Sequence, residues 1–360
     1  MSVNRPLLSD SERFASLSAV TDALAGRSLR RPTRDLLQVG ALEHALSEMA
    51  PGFTLITQPG PRAALTGHHL ARAGAIVEAR SLDRAELEHL AATAPRGPAV
   101  VGVGGGVVMD SAKWLAFRSA APLVLAPSIL SVDACVTNTV AVRDGNQVSY
   151  EGFVEADRIV LDTDLVRAAP SRLNRAGAGD LLSIHTALWD WAAEGGNGGA
   201  PFQPGVARRA TAVLGSLAAV ADGVAAVTGE ALTTVLLGYA DINDLTVQCG
   251  HAQMEEGSEH YFAYHLERLT GQQFVHGEVV TLGVVIMSRL QHNDPDWALR
   301  TADRCGVQWR PAQLGLSRQL LVRAVTGLAR YVHEAGLPRS IADTSPTSER
   351  AAGDLLTGLV

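Results

Sequence analysis

From Leu36 onward the chain alternates short apolar runs with amphipathic stretches. Leu36–Val39, Phe53–Thr57, Ala75–Ala79, Ala99–Val103 and Leu123–Ala126 are apolar runs of strand length, several of them bounded by Gly or Pro. Pro59-Gly60-Pro61 ends the second of these runs, and Ala41–Met49, a stretch after that tripeptide to about Ala73, residues 83–94 and Asp110–Arg118 have helical spacing. In 83–94 the apolar positions Leu87, Leu90 and Ala91 share one face. Strands alternating with helices predict a parallel sheet covered by helices. Past about Asp164 helical periodicity takes over, in Leu181–Trp191, Val206–Val227, Glu230–Leu245, Glu259–Leu269 and Val279–Leu290. Gly195–Gly205 is a loop by composition. The expected organisation is an α/β unit over 1–165, ending in a β-rich connector near 127–165, and a helical unit over 166–360. The cleft between two such units is a common place for a small-molecule site.

Composition narrows the class. Of 360 residues, 47% are hydrophobic and 19% charged, so a well-filled core is expected. The net charge of −7 argues against a nucleic-acid partner, which calls for a basic face. Three scattered cysteines, Cys135, Cys249 and Cys305, suggest neither a disulfide framework nor a zinc ribbon. The first residues lack the apolar core of a signal peptide, and no apolar run reaches the length of a membrane span. A cytoplasmic protein acting on a small molecule is expected.

Two features carry chemistry. Val101-Gly102-Val103-Gly104-Gly105-Gly106 joins a buried strand to a helix. Glycines there let the backbone approach a ligand, and the helix start offers free N–H groups to a pyrophosphate. The same run also serves as a tight turn with no ligand. Asp110 and Lys113, three apart, share a helix face as a structural pair or as contacts to ribose and phosphate. The second feature is dispersed: Asp180 in Ala176-Gly177-Ala178-Gly179-Asp180, His260 in Gly257-Ser258-Glu259-His260, and His276 in His276-Gly277-Glu278. One carboxylate and two imidazoles form a three-ligand set with a position left for a substrate oxygen. Zinc suits it, as do nickel and iron.

These blocks together resemble a known superfamily. Gly-Gly-Gly-x-x-x-Asp-x-Ala-Lys at 104–113 is similar to the cofactor loop of the iron-containing alcohol dehydrogenase, glycerol dehydrogenase and dehydroquinate synthase superfamily. Ala126–Ala134 resembles its next block. Ala176–Asp180 with Trp189-Asp190-Trp191, then Gly257–His260 and His276–Glu278, resemble the glycerol-1-phosphate dehydrogenase branch. The resemblance implies a Rossmann-like N-terminal domain with a parallel sheet, an all-α C-terminal domain, and a site between them. It implies that Gly104, Gly105, Gly106, Asp110 and Lys113 line NAD or NADP, with Ser128 and Ser131 near the nicotinamide. It implies Asp133 on the substrate side and Asp180, His260 and His276 as ligands of one divalent metal. The implied activity is oxidation of a small polyol or polyol phosphate, or reduction of the matching ketone, in a homo-oligomer. The alternative within the superfamily is a dehydroquinate-synthase-like cyclase, which needs basic residues for a phosphate leaving group.

Two departures bear on substrate. The family's second histidine, four residues after the first, is replaced by Tyr264, with His265 one step further round the helix. Either is a candidate for proton relay. The branch's Ser-Arg-Pro-Ala-Ser-Gly is replaced by a segment carrying Glu255 and Glu256. Those carboxylates either disfavour a phosphate dianion or occupy a solvated helix start. In the loop Gln58-Pro59-Gly60-Pro61-Arg62, Arg62 and the lack of an acidic residue permit a 2′-phosphate.

Overall fold

The computed structural model of the protein describes residues 23–145, 147–194 and 199–359. Its strands are β1 (Leu37–Val39), β2 (Phe53–Thr57), β3 (Ala73–Glu78), β4 (Val100–Gly104), β5 (Leu123–Pro127), β6 (Val140–Asp144), β7 (Gln147–Glu151) and β8 (Arg158–Leu161). Interleaved with them are α1 (Leu42–Ser47), α2 (Pro59–Ala64), α3 (Gly67–Ala71), α4 (Arg84–Thr93) and α5 (Gly106–Ser119). Helices then follow one another: α6 (Thr163–Ala168), α7 (Ser171–Ala176), α8 (Ala178–Glu194), α9 (Pro204–Ala219), α10 (Ala221–Ala225) and α11 (Gly229–Cys249). The last are α12 (Ser258–Thr270), α13 (His276–Gln291), α14 (Pro295–Arg304), α15 (Arg318–Glu334) and α16 (Glu349–Leu355). None of the described helices is long and apolar enough to cross a membrane.

Six strands form one sheet in the order β1-β8-β5-β4-β2-β3, and every pair is parallel. The central strands are buried along their whole length, as apolar runs without alternation require. Their side chains split between two layers. Val101 and Val103 pack with Leu42, Leu46 and Leu65 on one face, while Val100, Ile56 and Leu125 pack with Val108, Met109 and Ala112 of α5 on the other. The chain moves outward from β2 to β3 and then returns to the other side of β2 to lay down β4. Strand order therefore reverses between β2 and β4. In open α/β sheets the crevice at such a reversal, beyond the strands' carboxyl ends, is where ligands bind. The glycine turn leaves β4 there.

The expected strands recur with shifts of one or two residues, and three readings change. The region 127–165 is no mere connector. It contains an antiparallel hairpin, β6–β7, and then β8, which returns to the main sheet between β1 and β5. Ile159, Val160 and Leu161 are each at most 1% exposed, which only an interior strand achieves. Pro59-Gly60-Pro61 starts a helix, with Pro59 in the first turn where its missing N–H costs nothing; the stretch to Ala73 then divides into α2 and α3. The helix expected from Asp110 begins at Gly106, so the glycine run supplies its first turn. Part of the Gly195–Gly205 loop, residues 195–198, lies outside the described residues, as do the first 22.

The helical half is built on contacts that tolerate no side chain. A Cβ on Gly179 of α8 would lie 2.1 Å from the Gly277 carbonyl oxygen of α13, and one on Gly277 would lie 1.8 Å from that of Ala176. A Cβ on Gly177 would meet the Leu130 carbonyl oxygen, after β5, at 1.7 Å.

Candidate metal centre and its cavity

Three helix starts converge. Asp180 lies in the first turn of α8, His260 in the first turn of α12, and His276 is the first residue of α13. One donor atom from each lies within 4.8 Å of the others. His276 Nε2 is 3.5 Å from Asp180 Oδ1. That oxygen is buried and has no hydrogen-bond partner among the described residues. A carboxylate taken out of water and left unpaired is costly, so the atom fits a cation. Burial, with Asp133 next, pushes the Asp180 carboxyl well above its ordinary range. Burial and the charge of His260 hold the His276 imidazole down at about 3. His260 goes the other way. Burial lowers it, but the hydrogen bond and charge of Glu259, with Glu256 and Asp180, outweigh that and raise it to about 9. With no ion, a proton on His260 balances the carboxylates. An ion would take its place, because ligation needs the neutral ring.

Glu259, next to His260 in the chain, is assigned no role from the sequence. It is wholly buried and accepts hydrogen bonds from the Thr186 hydroxyl at 2.7 Å and the Gly257 amide at 2.7 Å. It also bonds His260 Nδ1 at 2.9 Å, which leaves Nε2 for the cation. A carboxylate behind a ligating imidazole fixes its orientation and raises its basicity. Arg172 makes a bidentate pair with Glu278, both contacts 2.7 Å, and so anchors the start of α13 beside His276. Glu259→Gln is expected to lower metal affinity by about 10- to 100-fold, measured by chelator competition; an unchanged affinity would show that the network does not orient His260.

The three ligands open onto a cavity of about 910 Å³. Gly106, Val107, Asp110 and Asp133 line it from the sheet side; Glu255, Glu256 and Tyr264 line it from the helical side. Gly104 and Gly105 lie just outside the lining, where added Cβ atoms would meet Val108 at 2.4 Å and Ile129 at 2.7 Å. The turn is thus drawn tight, with Gly106 at the cavity and the first amides of α5 uncapped by any side chain. Ser128 donates its backbone N–H to the Gly104 carbonyl at 2.8 Å; neither its side chain nor Ser131 belongs to the lining. Lys113 is 1% exposed and sits beneath the cavity wall. Its ammonium reaches Asp110 at 2.7 Å, the Thr137 hydroxyl at 2.9 Å and the Thr139 carbonyl at 2.7 Å.

The α12 face separates the two relay candidates. Tyr264 lines the cavity and donates its hydroxyl to Glu256. Burial and the Glu256 charge hold that phenol well above its ordinary value, so it stays protonated. His265 turns to the other side, outside the lining, and stacks on Tyr331 of α15 at 4.9 Å. Burial, with Arg268 next, lowers its imidazole to about 4. Asp133 is half-buried and burial raises its carboxyl to about 6, against the pull of Lys113. Glu255 and Glu256 occupy no solvated helix start, since α12 begins only at Ser258 and both carboxylates belong to the cavity wall.

Residues 63–170 match the family model described as iron-containing alcohol dehydrogenase. Glycerol-1-phosphate dehydrogenase (NAD(P)+) of Hyperthermus butylicus is 31% identical over 227 residues, which cover 63% of this chain and 65% of the relative. The protein of the same name from Pyrobaculum arsenaticum is 30% identical over 236 residues, covering 63% and 68%. The match thus spans about two thirds of these relatives' length, just under it for the first. The structure of glycerol dehydrogenase from Schizosaccharomyces pombe shares the fold with a TM-score of 0.67 at 18% identity, over 89% of both chains. Motif order, fold and sequence likeness agree that the chain belongs to the glycerol-1-phosphate dehydrogenase branch of the iron-containing alcohol dehydrogenase superfamily.

Proposed function

We propose that this protein is a metal-dependent, NAD(P)-linked dehydrogenase of a small polyol or polyol phosphate, working equally as a reductase of the matching ketone. One observation carries the reading. The buried, unpartnered Asp180 oxygen, His260 and His276 face a cavity whose opposite wall is the glycine turn at the sheet's switch point. A divalent ion supplies Lewis acidity and the dinucleotide carries the hydride. Zinc is the preferred ion, and nickel and iron(II) suit the same donors.

The chain's own residues then have distinct tasks. Gly104, Gly105, Gly106 and Asp110 receive the dinucleotide, with Ser128 and Ser131 toward its nicotinamide. Lys113 serves it indirectly by holding Asp110. Arg62, exposed after β2, leaves room for NADP as well as NAD. Asp133 accepts a hydrogen bond from a substrate hydroxyl next to the reacting carbon. The protonated Tyr264 orients Glu256, so that a proton near the reacting oxygen is held on the Glu256 side. His265 takes no part in this arrangement. We assign the dinucleotide to residues 1–165 and the metal and substrate to residues 166–360, in a cytoplasmic homo-oligomer.

The test is a screen of polyols, cyclitols and glycerol phosphates with both cofactors and with zinc, nickel or iron(II) restored. Steady change in reduced-cofactor absorbance is expected with at least one neutral or amino-bearing compound. Binding of metal and cofactor with no turnover on any compound would sink the dehydrogenase reading. A cyclase of the dehydroquinate synthase kind would show no net change in cofactor absorbance. That alternative is disfavoured by a cavity lining with only two arginines, Arg143 and Arg268, and no lysine among the described residues.

A further inference from the structure

The cavity wall holds more carboxyl groups than a metal and a dinucleotide account for. Asp110 is matched by Lys113 at 2.7 Å, and Glu334, at the rim, lies 3.9 Å from Arg268. A divalent ion would take up Asp180. Arg143 acts on Glu267 and His276, at the β6 side of the cavity. Asp133, Glu255 and Glu256 remain as neighbours in one wall: Glu256 raises the Asp133 carboxyl, and Asp133 and Glu256 both raise that of Glu255.

These three differ in how well they are satisfied. Glu256 receives the Tyr264 hydroxyl. Asp133 feels the buried Lys113 ammonium. Glu255 accepts at its carboxylate, among the described residues, one long hydrogen bond, 3.4 Å from the Thr246 hydroxyl. Its carboxylate borders the cavity with acceptor capacity to spare, in the same chamber as the unpartnered Asp180 oxygen. Burial holds these carboxyls toward the neutral form, and a cation placed among them would favour their ionised form, whereas a phosphate dianion would not. An ammonium presents three donors to such a wall, and a hydroxyl presents one.

We propose that the substrate carries an ammonium group beside the hydroxyl or ketone that reacts, and that Glu255 receives it. The inference rests on the dehydrogenase reading above and adds the substrate's charge. Asp180, His260 and His276 fix the reacting oxygen; Glu255, five residues before His260, fixes the nitrogen. Glu255 thereby determines specificity without touching the reacting atoms.

The experiment is isothermal titration of the full chain, loaded with metal and reduced cofactor so that the alcohols bind without being oxidised, with three ligands on one carbon skeleton: 3-amino-1,2-propanediol, glycerol and glycerol 1-phosphate. A buried charge-assisted hydrogen bond makes the amino diol bind about tenfold or more tighter than glycerol, with the phosphate weakest. In Glu255→Gln the amine's advantage falls to about twofold or less; in Glu255→Asp part of it returns. The inference is overturned if the unaltered protein binds the amine no tighter than glycerol, if the phosphate binds tightest, or if Glu255→Gln leaves the advantage intact. The comparison among ligands needs no variant, so a folding defect cannot mask it. Failure of the underlying reading looks different. A chain that binds metal and oxidises neutral polyols but ignores the amine sinks this inference alone, whereas a chain that binds no metal sinks both.

Discussion

Asp180→Ala is expected to leave a folded protein that no longer retains stoichiometric metal and turns over at least about a thousandfold more slowly, the equivalent of ~4 kcal/mol in the barrier. Asp180 is the anionic member of the candidate ligand set, and two imidazoles alone would offer a divalent ion no charge compensation. The stability of the variant has the opposite sign. In the metal-free protein Asp180 Oδ1 is buried without a hydrogen-bond partner among the described residues, so removing it relieves a costly buried polar atom. Metal-free Asp180→Ala should therefore melt no lower than the metal-free parent. Added zinc should raise the melting temperature of the parent and not of the variant, because only a folded state that binds ligand is stabilised by mass action. Metal analysis after dialysis and thermal melts with and without zinc measure both effects. Retention of one ion per chain by the variant would remove Asp180 from the centre.

Lys113→Met is expected to destabilise the protein by about 3–5 kcal/mol, the cost of leaving a buried charge without its partner. Lys113 is 1% exposed and Asp110 5%, and their 2.7 Å contact lies beneath the cavity. Without the ammonium, Asp110 is a carboxylate under burial with little to offset it, and Thr137 and Thr139 lose the donor that ties their loop to α5. The double variant Asp110→Asn/Lys113→Met removes both charges and should recover a large part of the loss. Urea denaturation of the parent, both single variants and the double variant gives the coupling directly. Additive single effects would mean that the ion pair is not the reason the lysine is there. Cofactor affinity should follow Asp110 rather than Lys113, since only Asp110 reaches the cavity.

The central strands were legible because Phe53–Thr57, Ala99–Val103 and Leu123–Ala126 are continuous apolar runs, and nothing but a doubly covered strand buries every residue of such a run. β8 was not legible in the same way. Its four residues follow a hairpin, and its place between β1 and β5 depends on pairing partners 34 and 122 residues away that leave no local periodicity. The candidate ligands Asp180, His260 and His276 were legible as short motifs, though not as the first turns of three converging helices. Glu255 and Glu256 had two readings because composition cannot tell a solvated loop from one folded into a cavity. Arg172 and Glu278 are separated by 106 positions, so their anchoring of α13 has no signature in the chain. Glu259 did have one, a carboxylate next to a ligand histidine, but its direction toward Nδ1 is a matter of backbone geometry.

The glycine contact between α8 and α13 has a bearing on how the proposed centre would acquire an ion. Asp180 and His276 ride on helices whose backbones touch at Gly179 and Gly277, so their spacing is set by main chain against main chain. Chelation would strip such a centre without unravelling it, and reloading would be a binding event rather than a refolding one. A vessel of that kind is indifferent to history. It takes whichever suitable cation is on offer when it is filled, which makes the resident metal a question of supply as much as of design.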